Sequence, residues 1–235
     1  MSLFLEKPNL SVVMPTFNEA GNIETVISKA IPILNNFAED YEIIIVDDGS
    51  RDGTGVLLDK LAKENSKIRV IHHKQNQGYG AAVRSGMKET RLNCVFLTDS
   101  DGQFDLNELT EVYPKLAQGD FVIGYRLNRA EGFQRKLNTW LWNKLCNVLF
   151  KTGVRDVDCA FKLFKRKILD VVELKAGGAM VSAELVVKSR KAGFKILEMG
   201  VHHYPRVTGK PSGAHLRVIF RAFKEILQLY PELRK

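Results

Sequence analysis

The feature that most constrains the fold is a regular alternation of short apolar runs with segments of helical periodicity. The apolar runs span residues 10–14, 41–46, 68–72 and 94–98, and the helical segments between them span 22–30, 54–63 and 81–90. Short apolar runs separated by helix-length segments are typical of buried strands covered by helices. The order βαβαβαβ therefore predicts an α/β fold with a mostly parallel central sheet flanked by helices.

A polar segment follows each apolar run. These segments read PTFNE (15–19), DDGS (47–50), HKQNQGYG (73–80) and DSDGQ (99–103). In a parallel sheet they meet at one edge, where open α/β sheets bind their ligands. Two of the segments carry paired carboxylates, and the repulsion between like charges favours binding of a cation at this edge.

The pair Asp99 and Asp101 directly follows the last of these apolar runs. In extended backbone, residues i and i+2 point the same way, so both carboxylates can address one ion. Mg²⁺ or Mn²⁺ is often held by one or two carboxylates, with diphosphate oxygens and water as the other ligands. A solvated turn is the alternative, since Asp and Gly favour turns. An EF-hand loop fits poorly, because Leu97 would occupy its first ligand position.

The composition is that of one globular domain. Of the 235 residues, 45% are hydrophobic and 26% are charged, which is ordinary for such a domain. Cys94, Cys146 and Cys159 are too widely spaced for a disulfide framework or a zinc site, so we expect a reducing, cytoplasmic compartment. No run approaches the roughly 18 apolar residues of a membrane span. The first residues also lack a signal-peptide layout, so we expect a chain that does not cross a membrane by itself.

The charge balance indicates an anionic partner. Thirty-five Lys and Arg residues against 27 Asp and Glu residues give a formal net charge of +8. A nucleotide, a nucleic acid or an acidic membrane surface would each suit this charge. The sequence contains no RNP, zinc-finger or helix-turn-helix signature, so we expect no nucleic-acid partner.

Five ordered segments carry a family resemblance. VVMPTFNEAGNI, IIIVDDGSRDGT, NQGYGAAVRSGM, LTDSDGQF and VIGYR occur in the order and spacing of the family 2 inverting glycosyltransferases, and the resemblance covers residues 10–212. Within that family the chain most resembles the dolichyl-phosphate or polyprenyl-phosphate mannose and glucose synthases. The first βα turn also lacks the GxGxxG pattern of dinucleotide-binding oxidoreductases.

The resemblance implies a GT-A fold and a specific chemistry. A sugar would pass with inversion from a GDP-sugar or UDP-sugar to a polyprenyl phosphate, assisted by Mg²⁺ or Mn²⁺. A saccharide or another hydroxyl acceptor is the alternative, since it would share the same donor site. If the acceptor is a phosphate it is already largely anionic near neutral pH and needs no strong base, whereas a hydroxyl acceptor needs one.

The resemblance also assigns residues to the donor site. Pro15, Phe17 and Glu19 would line the nucleoside pocket. Asp47 would address the base and Asp48 would support it, although either could instead cap the following helix. Asp99 and Asp101 would hold the metal, with Asp101 the more direct ligand and a catalytic residue. The remaining residues assigned to the nucleotide-sugar site are Gly78, Arg84, Gln103 and Arg126.

The segment RDVDCAFKLFKR (155–166) resembles a family segment in which an Asp precedes Ser-Gly-Phe-Arg. Asp156 fits that Asp, whereas Cys159, Ala160 and Lys162 replace Ser, Gly and Arg. We predict that Asp156, and with it Asp158, is a candidate to orient or deprotonate an acceptor. One of the two could instead cap a loop.

The segment HHYPRVTGKPSG (202–213) resembles a loop that closes on phosphate. Arg206 fits its Arg, and Lys210 and Ser212 would complete a phosphate and acceptor loop. A guanidinium binds phosphate oxygens in a bidentate manner, so Arg206 is predicted to be catalytic. His202 and His203 are adjacent in a strand-like run and point to opposite faces, which disfavours a shared metal.

The C-terminal residues predict a basic amphipathic helix. We divide the chain into a catalytic domain, residues 1–213, and this helix, residues 214–235. Helical spacing groups Leu216, Ile219, Phe220, Phe223, Ile226, Leu227 and Tyr230 on one face, and Arg217, Arg221, Lys224 and Glu225 on the other. The helix either packs on the domain or rests on an anionic membrane surface, and residues 135–151 admit the same two interpretations. A peripheral location, a membrane-anchoring partner subunit and a homo-oligomer all remain open.

Overall fold

A seven-stranded sheet runs through the part of the chain that this computed structural model describes, namely residues 6–127, 133–206, 208–209 and 216–234. The strands are β1 (Asn9–Thr16), β2 (Asp40–Asp47), β3 (Ile68–His72), β4 (Cys94–Leu97), β5 (Phe121–Leu127), β6 (Lys162–Lys165) and β7 (Ile196–His202). Their spatial order is β3-β2-β1-β4-β6-β5-β7. Only β6 runs antiparallel to its neighbours, β4 and β5. The predicted mostly parallel sheet is therefore confirmed.

Helices cover both faces of the sheet. They are α1 (Ile23–Phe37), α2 (Thr54–Glu64), α3 (Tyr79–Lys88), the single turn α4 (Leu109–Val112), α5 (Phe133–Phe150), α6 (Met180–Lys191) and α7 (Leu216–Arg234). Helices α1 and α2 pack on one face, and α3, α5, α6 and α7 on the other. Because both faces are covered, the central strands are mostly apolar instead of alternating regularly with polar residues.

The sheet has a hydrophobic core on each face, and alternate residues of a strand point into one core and then the other. Val12 and Met14 of β1 point to the α1 side, whereas Val13 between them points to the α3 side. The same alternation separates Ile43 from Ile44 in β2. This follows from the two-residue period of an extended chain.

Local signals located the first elements well, with some errors at their ends. The predicted strand 68–72 coincides with β3. The helix predicted to end at residue 30 instead continues through Pro32 to Phe37. A proline removes one helical hydrogen bond, but burial of Leu34 on the same face keeps the helix going. Helix α3 begins at Tyr79, two residues earlier than predicted.

The structure divides the residues that helical spacing groups on one apolar face of the C-terminal helix. Helix α7 packs against α5 and α6 through buried Ala222, Glu225, Ile226, Leu229 and Leu233. Phe220, Phe223 and Leu227, which were predicted to share the face of Ile226, are 73%, 51% and 77% exposed. The helix is apolar on two opposed stripes, and contacts with the rest of the chain select the stripe around Leu229.

Gly86 sets the distance between α3 and the sheet, and this generates a stability prediction. A Cβ at Gly86 would lie 2.5 Å from Cγ1 of Val13 and 3.2 Å from Cγ2 of Val46. In an exposed helix Gly→Ala stabilises by about 1 kcal/mol, but here the added methyl overpacks the core. We expect Gly86→Ala to lower the free energy of unfolding by about 1–3 kcal/mol. Denaturant unfolding should detect this, with exposed Lys88→Ala on the same helix as the neutral control.

Candidate active site

The polar segments predicted to meet at one edge of the sheet do so. The parallel register pairs Thr16 at the end of β1 with Asp47 at the end of β2, and Val13 with Leu97 of β4. The hydroxyl of Ser100 donates to the carbonyl oxygen of Pro15 at 3.1 Å. The loops after β1, β2, β3 and β4 therefore form one continuous site.

Asp48 anchors the loop after β3. Its carboxylate is 3% exposed and accepts hydrogen bonds from the backbone N–H groups of Gln77 and Gly78 at 2.9 and 2.7 Å. Its Oδ1 also lies 2.7 Å from Nδ1 of His73. Asp48 does not cap the next helix, since Asp52 accepts the N–H of Thr54 instead.

Asp47 lies one residue before Asp48 and has different contacts. It is 4% exposed, and its Oδ1 accepts the N–H of Ser50 at 2.9 Å. Its Oδ2 lies 3.1 Å from Nδ1 of His72, which also contacts Asp59. Burial disfavours the charged imidazole, but the two carboxylates outweigh it and raise the pKa of His72. Asp47 thus holds the turn that follows β2.

The loop after β1 presents an aromatic ring and a carboxylate. Phe17 is 37% exposed, whereas Glu19 is 8% exposed. The Oε2 of Glu19 accepts a hydrogen bond from Nδ2 of Asn22 at 2.7 Å. Its other oxygen pairs with Nη2 of Arg206. The loop therefore offers a ring for stacking beside a carboxylate that is already engaged.

Asp99 and Asp101 form a repelling pair beyond β4. Burial and then the charge of Asp101 raise the pKa of Asp99 to about 7. Burial likewise raises the pKa of Asp101. The charge of Lys162 and the hydroxyl of Tyr79 lower the pKa of Asp99 and so partly offset this rise. Two carboxylates with such raised pKa values would gain from a bound cation.

The pair fits a hard divalent cation that shares its ligands with a substrate. No group of three or more His, Cys, Asp or Glu side chains with metal-binding geometry occurs among the described residues. The chain would therefore supply Asp99 and Asp101, and diphosphate oxygens and water would supply the other ligands. This arrangement is usual for Mg²⁺ and for Mn²⁺.

Arg206 bridges the two loops that flank the site. Its Nη2 pairs with Glu19, and its Nη1 lies 3.7 Å from Oδ2 of Asp101. Its Nε donates to the carbonyl oxygen of Thr208 at 2.7 Å. The predicted loop residues Lys210 and Ser212 lie outside the described residues. Within the described part, the chain after β7 folds back onto the carboxylate pair.

Gln103 holds the segment that follows β7 in place. Its side-chain amide donates to the carbonyl oxygen of Tyr204 at 2.8 Å. Its backbone carbonyl oxygen accepts a hydrogen bond from the N–H of Tyr204. Its backbone N–H donates to Oδ1 of Asp101 at 3.2 Å. Gln103 thus connects the residues before Arg206 to the carboxylate pair.

Arg126 and Asp156 form a bidentate ion pair at the second half of the site. Nε and Nη2 of Arg126 donate to the two carboxylate oxygens at 2.7 and 2.8 Å. Burial disfavours the charge of Arg126, but these hydrogen bonds raise its pKa. Asp158 has no such bidentate partner among the described contacts, and burial raises its pKa.

Sequence reasoning missed two residues of this site. Tyr79 stands inside the quoted segment NQGYGAAVRSGM, but nothing in the pattern marks its hydroxyl as a partner of Asp99. Lys162 was noted only as a departure from the family segment, yet it is fully buried and donates to the carbonyl oxygen of Cys159 at 2.5 Å. Its charge offsets those of Asp99 and Asp158. A lysine inside an apolar strand was the available signal.

Arg84, which the resemblance assigns to the nucleotide-sugar site, has its contacts in another part of the fold. Its guanidinium donates to the carbonyl oxygen of Lys175 at 2.5 Å and lines a cavity next to α7.

The model of the family described as Glycosyl transferase family 2 matches residues 11–172. The chain belongs to glycosyl transferase family 2. The match contains most of β1, all of β2 to β6 and both carboxylate pairs. The resemblance inferred from the ordered motifs is thereby confirmed.

Curated relatives of this glycosyltransferase include two synthases named for polyprenyl phosphates. A dodecaprenyl-phosphate galacturonate synthase of Rhizobium johnstonii is 29% identical over 228 residues, which are 94% of this chain and 65% of that protein. A polyprenol monophosphomannose synthase of Mycolicibacterium smegmatis is 27% identical over 227 residues, 88% of this chain and 82% of that protein. The chain spans 33% to 65% of the length of the first relatives it matches.

A solved structure supports the fold. Glucosyl-3-phosphoglycerate synthase from Mycobacterium tuberculosis, in complex with Mn²⁺, UDP-glucose and phosphoglyceric acid, superposes with a TM-score of 0.67 at 21% identity. The match covers 92% of this chain and 79% of that protein. The predicted GT-A fold is confirmed.

The repulsion within the carboxylate pair of this glycosyltransferase generates a stability prediction. The pKa of Asp99 is near 7 in the folded chain and about 3.9 in an unfolded one, so ionised Asp99 opposes folding above pH 7. We expect Asp99→Asn to raise the melting temperature at pH 8 in chelator, by roughly 2–4 °C for each 1 kcal/mol gained. At pH 5 the gain should shrink, because folded wild-type Asp99 is already protonated. Divalent metal should raise the melting temperature of the wild type and not of the variant.

Calorimetric scans with and without Mn²⁺ measure both effects. A variant that melts below the wild type in chelator at pH 8 would contradict the repulsion.

Proposed function

We propose that this glycosyltransferase moves a sugar, with inversion, from a nucleoside-diphosphate sugar to a polyprenyl phosphate. The observation that carries the proposal is the cluster of Asp99, Asp101, Glu19 and Arg206 at the carboxyl edge of the sheet. Glu19 and Arg206 are joined by an ion pair, and Arg206 also faces Asp101 at 3.7 Å. This cluster combines carboxylates for a cation with a guanidinium for phosphate.

The donor half of the proposal rests on the edge loops. Phe17 offers a ring to a base, Glu19 offers an acceptor to ribose hydroxyls, and Asp47 lies at the neighbouring loop. The solved relative whose complex contains UDP-glucose and Mn²⁺ supports a nucleotide sugar and a divalent metal as ligands of this edge. GDP and UDP both remain candidates for the donor nucleotide.

The reaction is a single displacement at the anomeric carbon. An acceptor oxygen forms a bond to that carbon while its bond to the diphosphate oxygen breaks, and the electron pair leaves with the nucleoside diphosphate. A divalent cation bound by Asp99 and Asp101 would neutralise charge on that leaving group. Arg206 would share the phosphate charge from the opposite side, and Gln103 would keep Arg206 in position through Tyr204.

The state of Asp156 supports a phosphate acceptor. Both of its carboxylate oxygens are engaged by Arg126, which weakens Asp156 as a base. A phosphate monoester, whose second pKa is about 6, attacks as an anion without such a base. The names of the two curated relatives point to the same acceptor class.

A hydroxyl acceptor is the second candidate, and the raised pKa of Asp158 favours it. Asp158 rather than Asp156 would then remove the proton. The two candidates separate in an assay of transfer to polyprenyl phosphate and to saccharides. For a phosphate acceptor, we expect Asp158→Asn to leave the pH dependence of transfer unchanged. For a hydroxyl acceptor, the same change should remove the fall in rate at low pH that protonation of Asp158 causes.

Two outward stripes support a peripheral contact with a membrane. On α7 the stripe consists of Phe220, Phe223 and Leu227, and on the neighbouring α5 it consists of Leu137, Trp140, Leu141 and Val148, all at least 41% exposed. The two helices pack together, and we call their two exposed stripes together the α5–α7 surface. Apolar residues beside lysines and arginines are typical of helices that rest on anionic bilayers.

The described helices do not include one with the length and apolarity of a membrane span. A membrane-anchoring partner or a second copy of the chain could cover the α5–α7 surface instead, and the vesicle experiment below identifies the second copy.

The carboxylate pair generates a binding prediction. We expect Asp101→Asn to abolish the gain in nucleoside diphosphate affinity that Mn²⁺ or Mg²⁺ produces, a loss of at least about tenfold, or 1.4 kcal/mol. Calorimetric titration with GDP and UDP, with and without chelator, measures this gain. Asp105→Asn, on the same loop, is the matched control. Equal affinity of the wild-type chain with and without metal would refute a metal-assisted donor site.

The α5–α7 surface generates a second binding prediction. We expect replacement of Phe220, Phe223 and Leu227 by Ser to reduce sedimentation with anionic vesicles several-fold. Val56 and Val171, 75% and 64% exposed and not part of either helix, give the matched control when changed to Ser. Undiminished vesicle binding would contradict a bilayer contact, and a wild-type dimer that the triple variant lacks would assign the surface to a second copy.

A further inference from the structure

Glu108 belongs to the same loop as Asp99 and Asp101 but lies outside the carboxylate cluster. It is the last residue of the short 3₁₀ helix Leu106–Glu108. Leu106 and Leu109, on either side of it, are buried in the core on the α1 face of the sheet. The side chain of Glu108 is itself only 13% exposed. Because buried leucines anchor this turn, Glu108 is a fixed point of the loop.

The carboxylate of Glu108 holds the last residue of β7. Both of its oxygens accept the backbone N–H of His202 at 3.1 Å, and Oε1 lies 2.6 Å from Nδ1 of the same residue. Strand β7 is the outermost strand on its side of the sheet among the described residues. Backbone groups on the outer side of such a strand need a partner from outside the sheet. Glu108 supplies that partner at the point where the chain leaves β7.

Two further pairs of residues join the same two segments. His203 forms an isolated antiparallel bridge with Phe104, and their ring centroids lie 5.1 Å apart in an edge-on arrangement. Both residues are buried. Tyr204 forms two hydrogen bonds with Gln103, each 2.8 Å long. The segment that follows β7 is therefore paired with the loop that follows β4.

The pairs occur in antiparallel order along the chain. As one segment runs forward from 202 to 206, its partners run backward from 108 to 101. The contact of His202 with Glu108 is the first pair in this order, and the contact of Arg206 with Asp101, at 3.7 Å, is the last. Paired segments share one register along their length. The position of Arg206 therefore depends on the pair at the opposite end.

We infer that Glu108 is a positioning residue for Arg206. It fixes the backbone at His202, and the paired segment then places the guanidinium beside Asp101. The inference rests on the proposed function, in which Arg206 shares the charge of the diphosphate. One loop then supplies the metal ligands and also sets the place of the arginine that binds phosphate, so the two parts of the leaving-group site keep one geometry.

The sign of the charge separates positioning from a direct electrostatic effect. Glu108 carries a negative charge on the loop of a site that binds an anion. Removal of that charge alone favours the binding of a diphosphate, because like charges repel. Weaker diphosphate binding after the removal of Glu108 therefore reports a displaced guanidinium.

Calorimetric titration with UDP and with GDP in Mn²⁺ measures this effect. We expect Glu108→Ala to weaken the tighter of the two at least about fivefold, because it removes hydrogen bonds to a charged acceptor. Glu108→Gln removes the same charge but keeps one acceptor oxygen, so its loss should be smaller. Glu111→Ala removes a charge from an exposed residue of α4 and should not weaken binding. Melting temperatures verify that the variants fold.

A double-mutant cycle with Arg206→Ala identifies the residue through which Glu108 acts. If Glu108 acts through Arg206, Glu108→Ala causes no further loss of affinity in the Arg206→Ala background. If Glu108→Ala does not fold, Glu108→Gln serves in the same cycle. The inference is overturned if the loss is as large in that background as in the wild type. It is also overturned if Glu108→Ala and Glu108→Gln keep the wild-type affinity while Arg206→Ala loses it.

Failure of the proposed function gives a different result. Arg206→Ala would then bind UDP and GDP as tightly as the wild type does. That result would remove the role of Arg206 at the diphosphate, and the inference about Glu108 with it.

Discussion

The repulsion between Asp99 and Asp101 is the interaction around which the site is built. A sheet edge that buries two carboxylates must compensate their negative charge, and three side chains of this protein do so. The buried ammonium of Lys162 and then the hydroxyl of Tyr79 lower the pKa of Asp99, and Arg206 faces Asp101. The compensation is incomplete, since the pKa of Asp99 still stands near 7. The remaining unfavourable charge is what a cation and its diphosphate would relieve.

The loops at this edge are held to one another and to α7. Asp48 fixes Gly78 through its backbone N–H, and the bare Cα of Gly78 leaves room for Arg221 of α7. Gly177 contacts Arg221 in the same way and donates its N–H to Glu225. Helix α7, which carries the outward stripe, therefore contacts the loop of the donor site at a glycine residue. Contact between α7 and a surface would act close to the site.

Helix α7 shows how a helical wheel misleads when a helix has two apolar faces. Helical spacing placed Glu225 on the face of the charged residues, whereas the structure buries it, and a buried carboxylate needs partners. Those partners, the N–H of Gly177 and the guanidinium of Arg221, come in part from a loop about fifty residues earlier in the chain. Ala222, Leu229 and Leu233 then complete the packed face.

The sequence by itself determined the α/β class, the parallel strands and the polar loops at their carboxyl ends, because these follow from the period and length of local apolar runs. The ordered motifs also sufficed for the family. Only the tertiary structure decided the antiparallel insertion of β6, the pairing of Arg126 with Asp156, and the roles of Tyr79 and Lys162. It also decided which face of α7 is buried. Each of these depends on contacts between residues far apart in the chain, and neither periodicity nor local propensity carries information about such contacts.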